Sequence, residues 1–461
     1  MSAGVRRTFA SLAVPNYRRY FAGQIVSLSG NWMQNIAEMW LIVQLTANGA
    51  LVGVTAALQF LPMLLFGAWG GVIADRMDKR RLLMCTQAAM IVPAAALWAV
   101  TVHGAVEAWM VWAVVLTRGT VNALDNPARQ AFVMELVGAD RVVNAVALNS
   151  VIVHTARIVG PAIAGVVIAL IGVGPCFGVN ALSFGAMLVA LGTMNVAALH
   201  NPRRAPREPG QLRAAFAHVR STPALWIPLG AMVLVGTLSF NFQVLLPLLA
   251  SQTWHGTAST YAMLTTAMGV GSVVGALAAG ARNRVSPRLL VAAATLFGAV
   301  ELAAAVAPVL PLQVALLIPL GAVSVTFAAG VNSTLQLKAD PLLRGRVMAL
   351  YSVVFLGSTP IGAPLVGWLA EAAGPRAGLV LGGSAALIGA VGARVAYSRA
   401  QAAAAEGAPS RSAARRRMAL SFARRSHAPA SGARRRAEAG SSSMASSKRT
   451  RVAPSPSGSS E

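Results

Sequence analysis

Long apolar runs separated by short polar connections dominate the pattern of residues along this chain. A helix needs about 20 mainly apolar residues to cross the hydrocarbon core of a membrane, and Gly or Pro within such a helix is tolerated. The pattern predicts twelve spanning helices, called spans one to twelve in chain order. Their ranges are 20–45, 51–73, 82–102, 108–126, 146–171, 174–196, 225–250, 258–281, 287–309, 311–334, 347–371 and 375–397.

The composition also favours a membrane protein. The chain is 56% hydrophobic and 11% charged, whereas soluble domains have roughly 25% charged residues. A net charge of +24 suggests nucleic-acid binding at first, but nucleic-acid-binding proteins concentrate basic residues on one folded face. Here thirteen of the 38 Lys and Arg residues follow residue 397, and most others lie in short connections. We therefore expect a lipid bilayer, and no nucleic acid, as a partner.

Basic residues lie in every second connection, and therefore on one side of the predicted bundle. Cytoplasmic connections carry an excess of Lys and Arg, so the alternation predicts an inner-membrane protein with both termini in the cytoplasm. The basic residues on that side are Arg18, Arg19, Arg76, Lys79, Arg80, Arg81, Arg129, Arg141, Arg203, Arg204, Arg207, Arg213, Arg220, Arg282, Arg284, Arg288, Lys338, Arg344 and Arg346.

Two stretches repeat at an offset of about 202 residues. "ALNSVIVHTARIVGPAIAG" starts at Ala147 and opens span five, and "ALYSVVFLGSTPIGAPLVG" starts at Ala349 and opens span eleven. A six-span unit therefore occurs twice, which predicts an N-terminal half (1–196), a linker (197–224), a C-terminal half (225–397) and a tail (398–461). The tail has too few large apolar residues to build a core, so we expect disorder. Its basic runs at 415–417 and 434–436 could touch anionic lipids or be dispensable.

The turn "GGVIADRMDKRRLL", which starts at Gly70, holds six charges between spans two and three. Its basic residues fit the orientation rule, but acids contribute little to orientation. Asp75 and Asp78 therefore need another explanation.

The motifs resemble those of the major facilitator superfamily. Gly71, Asp75, Arg76 and Lys79 to Arg81 are similar to its signature loop, with Asp78 where that pattern usually has Gly. Gly160-Pro161 with Gly165 resembles its antiporter motif. "NYRRYFAGQIVSLSGNWMQ", "DNPARQAFVMELVG" and "RGRVMALYSVVFLGSTPIG" are similar to the branch that includes the bacterial enterobactin exporter.

The resemblance implies an all-α membrane protein of twelve helices in two pseudo-symmetric halves, with spans one, four, seven and ten lining a cavity. It implies that the turn, with Gly71, Asp75, Arg76, Lys79 and Arg80, is a conformational latch. Asp75 would approach the positive N-terminus of span eleven when the transporter opens outward, and Lys79 would meet an acid near the end of span four, here Asp125. A solvated turn without a latch role is the alternative.

The residues of the antiporter-motif helix have a physical explanation. Small residues such as Gly160 and Gly165 let helices approach closely, and Pro161 removes a backbone donor. Arg157 fits the branch pattern, and we expect a structural or gating role for it. Ordinary helix packing would explain the same residues.

Charges inside spans cost roughly 2.5–3.5 kcal/mol on insertion scales, so they are candidate functional residues. They are Glu38, Arg118, His154, Arg157 and Glu301, with Asp125 near the predicted end of span four. Glu38 ends a stripe on one face of span one that includes Gln24, Ser27, Asn31 and Gln34. We take Glu38, Asp125 and Arg118 as proton-coupling candidates, although Glu38 could be an anchor and Arg118 could bind an anionic group.

Polar residues on spans one, four and seven are candidates for contact with substrate: Asn31, Gln34, Asn122, Asn241 and Gln243. Hydrogen bonding between neighbouring helices would explain them equally well.

These features predict a secondary active transporter that couples proton flow to efflux of a small organic compound, such as a drug, siderophore or metabolite, and works as a monomer. An uncoupled or importing carrier, or a receptor or assembly factor on the same scaffold, is the alternative. No cofactor or metal is expected. The chain has no HExxH motif, phosphate-binding Gly loop with Lys, or nucleophile motif, so we do not expect an enzyme.

Overall fold

Each predicted span corresponds to a long helical segment in the structure, a computed structural model that describes residues 10–200, 211–281, 286–340 and 343–407. Within those ranges there are helices and short connections but no strands. The segments are α1 Pro15–Thr46, α2 Gly49–Arg76, α3 Lys79–Val102, α4 Ala108–Val137, α5 Val142–Ile171, α6 Gly174–Gly192, α7 Pro223–Thr253, α8 Ala258–Ala281, α9 Pro287–Ala305, α10 Leu310–Lys338, α11 Arg344–Ala373 and α12 Pro375–Gly407.

Ten apolar helices among the described residues are long enough to cross a membrane, which makes the chain a multi-pass membrane protein. They correspond to ten of the twelve segments, all except α1 and α4. Those two are 32 and 30 residues long, but amide and charged side chains lower their mean hydropathy. The count of twelve spans therefore stays a prediction.

Helix α4 is longer than predicted, since it ends at Val137 and not near residue 126. Asp125 and Arg129 form an ion pair four residues apart inside it, so the polar stretch continues the helix. Two expectations are thus corrected: Asp125 does not lie near a helix end, and Arg129 does not lie in a connection.

Helix α12 also runs ten residues past its predicted end, to Gly407. The stretch after residue 397 is rich in Ala, which has the highest helix propensity. The basic runs at 415–417 and 434–436 lie outside the described residues, as do Arg282 and Arg284. In the linker, residues 201–210 lie outside as well, and the described part contains the helix Gln211–Ser221.

Helices α7 and α11 are interrupted in the middle. In α7 the helix Pro223–Leu238 stops before Phe242–Leu248, which continues as a π-helical turn Leu249–Thr253. At the break, the Ser239 hydroxyl donates to the carbonyl of Gly382 on α12 at 2.6 Å. In α11 the break falls at Ser358. Irregular backbone in a spanning helix is tolerated where protein or a water-filled cavity surrounds it.

The internal repeat reappears as matching close contacts of α5 and α11. A methyl group at Gly160 of α5 would lie 2.7 Å from the carbonyl oxygen of Ser29 on α1. At the equivalent Gly362 of α11, a methyl group would collide with the carbonyl of Thr237 on α7. Only glycine permits these approaches, so α5 packs on α1 as α11 packs on α7.

The same two helices join the two halves. Gly165 of α5 packs against Ala262 of α8, where an added methyl group would lie 2.7 Å from the Ala262 Cβ. Its equivalent, Gly367 of α11, packs against Gly53 of α2, with the corresponding distance to the Gly53 Cα being 2.9 Å. These contacts bring the halves together at the end of the bundle opposite Pro15.

Candidate functional site

A buried ion pair lies between α1 and α4. The Arg118 guanidinium is 2.7 Å from a carboxylate oxygen of Glu38, and the two side chains are 4% and 0% exposed. The Gln34 amide donates to the other Glu38 oxygen at 2.7 Å. Two of the proton-coupling candidates therefore contact each other directly.

The ion pair belongs to a wider hydrogen-bond network. The Gln34 carbonyl accepts from Asn180 on α6. The Asn35 carbonyl accepts from Arg118 at 3.3 Å and from Gln59 on α2 at 2.7 Å. Four helices of the N-terminal half thus share one polar network around a single pair of charges.

A second buried ion pair lies nearer the end of the bundle that carries Pro15. Asp125 accepts from Arg129, from the Thr86 hydroxyl at 2.6 Å and from the Gln87 amide at 3.0 Å. Arg129 also donates to Gln24 on α1. Asp125 is therefore fully engaged, and the polar stripe of α1 bonds to neighbouring helices through Gln24, Gln34 and Glu38.

A cavity of about 790 Å³ lies between the two halves. Side chains of α1, α2, α5, α7, α8, α10 and α11 line it, while the residues lining it include none from α4. This set overlaps only partly with the spans one, four, seven and ten that the resemblance implied. Its volume falls in the range of sites for drug-sized ligands, roughly 300–1,000 Å³.

Of the five residues expected to contact substrate, Gln243 lines this cavity. Gln34 lies in the buried network. Asn241 is fully buried and donates to the carbonyl of Thr237 at 2.7 Å. Asn31 and Asn122 are half-buried and outside the cavity lining.

Several cavity residues were not identified from the sequence as cavity residues. Asn35 lines the cavity although it lies one position off the stripe of α1, and Asn332 and Ser333 line it from α10. A cluster of polar residues within span ten was the available signal for the latter two. Arg157, expected to have a structural or gating role, and His154, a candidate functional residue, also face this space.

Arg157 reaches across to α1. Its guanidinium carbon is 5.0 Å from the centre of the Trp32 ring, a cation–π contact. The antiporter-motif residues Gly160, Pro161 and Gly165 follow it along α5. The small size of Gly160 and Gly165 permits the contacts with α1 and α8 described above.

Basic residues of the turn between α2 and α3 contact the neighbouring helices. The Lys79 ammonium lies 2.8 Å from Glu135 of α4, and Arg80 donates to the carbonyls of Leu191 and Gly192 at the end of α6, at 2.7 and 3.1 Å. The prediction that Lys79 meets Asp125 was wrong, because α4 continues far enough to present Glu135. Asp78 caps α3 by accepting from the backbone of Arg81 at 2.7 Å, which explains an acid there.

The remaining latch residues lie on the last turns of α2. Asp75 and Arg76 are exposed, and Gly71 has open space where a side chain would extend.

Glu301 of α9 is fully buried in the C-terminal half. Neither of its carboxyl oxygens has a hydrogen-bond partner among the described residues. A methyl group at the nearby Gly382 of α12 would collide with the carboxyl group of Glu301, so glycine leaves room for this side chain.

Two halves of long helices around a central cavity define the major facilitator fold. The structure resembles the crystal structure of a bacterial homologue of the human lysosomal transporter Spinster, in an inward-facing and unoccupied conformation. The TM-score is 0.63 at 12% identity, covering 83% of this chain and 95% of that one, which shows a common fold. The chain belongs to the transmembrane secretion effector family, whose sequence pattern matches residues 6–428.

Curated relatives agree with this family. The chain is 25% identical to the staphyloferrin A transporter of Staphylococcus aureus (strain NCTC 8325 / PS 47), over 56% of this chain but only 65% of that protein. It is 24% identical to macrolide efflux protein A of Streptococcus pyogenes over 79% and 91% of the two chains. It is 25% identical to the enterobactin exporter EntS of Citrobacter koseri over 80% and 88%. The resemblance to the enterobactin exporter branch is confirmed.

Proposed function

We propose that this protein exports a small organic compound across the inner membrane in exchange for protons, by alternating access. One observation carries the proposal: Asn35 both lines the cavity and accepts a hydrogen bond from Arg118, the partner of Glu38. A compound in the cavity can therefore act on the buried ion pair through a single side chain.

Proton binding at Glu38 would remove one charge of this pair. A buried charge that loses its partner costs several kcal/mol, so Arg118 would have to find new partners when Glu38 is neutral. A rearrangement of α1 against α4 would supply them and would link protonation to the shape of the cavity. Each charge that crosses 100 mV contributes about 2.3 kcal/mol, which is enough to drive uphill movement.

The basic connections support an orientation with both termini in the cytoplasm. The close contacts at Gly165 and Gly367 would then seal the outer side, and the cavity would load from the cytoplasm. In this state Lys79 and Arg80 hold the turn within the N-terminal half. Asp75 would meet the N-terminus of α11 when the cavity opens outward, which is the latch role.

Proton exchange can be tested with liposomes that contain the purified full chain and a pH-sensitive dye. Staphyloferrin A, enterobactin or erythromycin is added outside, because the relatives' names point to these compounds. We expect at least one of them to drive proton movement that is missing in the double variant Glu38→Gln/Arg118→Gln. Uptake of a compound with no proton movement would instead indicate an uncoupled carrier, and no uptake of any would favour a receptor.

A further inference from the structure

The side chains that line the cavity between the halves carry charge of one sign. Its lining includes Arg157 and His154 but no Asp or Glu among the described residues. The buried acids of the N-terminal half lie outside the lining, and each already pairs with an arginine, Glu38 with Arg118 and Asp125 with Arg129. A bound molecule would therefore meet positive charge and no negative side chain.

Arg157 has unused capacity to bind an anion. It forms no ion pair with an acid among the described residues, and its Nε is buried without a hydrogen-bond partner there. The contact with the Trp32 ring uses the guanidinium charge but none of its N–H donors. A planar fork of N–H donors matches a carboxylate or similar oxyanion.

A second donor and several aromatic rings surround this position. His154 lies one helical turn from Arg157, and its Nδ1 also lacks a partner among the described residues. Phe60, Phe240, Tyr261 and Tyr351 line the same space. Aromatic faces bury the apolar body of a ligand, while the two basic side chains would fix its charged end.

From this arrangement we propose that the cavity selects organic anions: compounds with an acidic group and an aromatic or apolar body, in preference to organic cations of the same size. The inference rests on the proposed transport function, since it assigns that cavity to the cargo. A purely structural Arg157, which ties α5 to Trp32 of α1, is the competing explanation.

The test uses two xanthene dyes of similar size and opposite charge, carboxyfluorescein and rhodamine 123. Their binding to the purified full chain in nanodiscs of neutral lipid is followed by fluorescence anisotropy. We expect the anionic dye to bind at least tenfold more tightly than the cationic dye. Arg157→Gln should weaken the anionic dye at least tenfold and leave the cationic dye unchanged, and Arg157→Lys should restore most of the loss. Arg394→Gln, which removes an exposed Arg of α12 outside the cavity lining, is the matched control.

Three results would overturn the inference. One is equal or tighter binding of the cationic dye by the wild-type protein. Another is an equal loss of both dyes in Arg157→Gln, which identifies a packing role. The third is a loss in Arg394→Gln as large as in Arg157→Gln. Because binding is measured without a proton gradient, anion selection can hold even where the proton-exchange test fails.

Discussion

Buried charge is distributed very differently in helices α1–α6 and in helices α7–α12. The N-terminal half encloses Glu38, Arg118, Asp125 and Arg129, and each of these has a partner of opposite charge. In the C-terminal half the buried ionisable side chain among the described residues is Glu301, without a hydrogen-bond partner there.

The packing of the two halves differs accordingly. Amide and hydroxyl side chains tie α1 to α3, α4 and α6 in the N-terminal half. The C-terminal half is filled instead by an aromatic cluster around Phe240, Phe297 and Phe355. Under the proposed function, charge rearrangement would belong to the first half, while the second half would mainly supply a surface for the cargo.

The largest expected effect comes from breaking the Glu38–Arg118 pair. Glu38→Gln leaves a buried arginine without its counter-ion, and removal of one partner of such a pair costs about 3–5 kcal/mol. Adding Arg118→Gln should recover most of this stability, because neither charge then remains. Thermal unfolding in detergent measures both variants.

If the double variant is as unstable as Glu38→Gln alone, the pair is not the main polar contact between α1 and α4. If it is stable and still concentrates substrate against a gradient, Glu38 does not carry the proton, and Asp125 becomes the next candidate.

A smaller effect is expected for Asp75, the acid on the last turn of α2. A carboxylate at a helix N-terminus contributes about 1 kcal/mol, so Asp75→Asn should slow transport about fivefold. Membrane insertion should stay normal because the basic residues remain. Flux at equal protein abundance is measured, with Asp140→Asn, another exposed acid, as the control. Wild-type flux in Asp75→Asn would exclude the latch role of Asp75. The charged residues that matter for transport would then be those of the buried network.

Glu301, the buried acid of the C-terminal half, should tolerate replacement by a neutral residue. An isolated buried carboxylate is costly, so Glu301 suits its site as the uncharged acid, which glutamine resembles in size. Glu301→Gln should change the free energy of unfolding by less than about 1 kcal/mol, in contrast to Glu38→Gln. A loss as large as that of Glu38→Gln would show that Glu301 is charged and paired, and the contrast between the halves would be lost.

The smallest effect is expected beyond the two halves. A chain that ends at Gly407 keeps all of α12 and removes a segment poor in core-forming residues. Its abundance in the membrane and its transport rate should stay within about twofold of the full chain. An abundant but inactive truncated protein would assign a function to the removed residues.

The positions of the helices were predictable because lipid leaves the backbone few choices. Every N–H and C=O group in the hydrocarbon core needs an internal partner, so each apolar run had to become helical. The ends of α4 and α12 were missed for a local reason. The Asp125–Arg129 pair and the Ala-rich stretch after residue 397 both extend helices where apolar character had already fallen.

The candidate site was predictable only one residue at a time. Glu38 and Arg118 could be picked out because charges in spans are costly, but nothing in the spacing showed that they meet. Lys79 was assigned the wrong acid because its partner depends on the true length of α4. Asn35 was passed over because cavity exposure depends on how α1 is rotated between its neighbours.

The sequence by itself determined a multi-pass helical membrane protein and predicted a duplicated six-helix plan, since hydropathy and glycine positions act locally along the chain. Only the tertiary structure decided which polar residues bond to each other and which face the cavity. Gln34 and Asn35 are adjacent, yet one is enclosed in the N-terminal half and the other borders the space between the halves. Adjacent residues on a helix point about 100° apart, and the packing of distant helices decides what each of them meets.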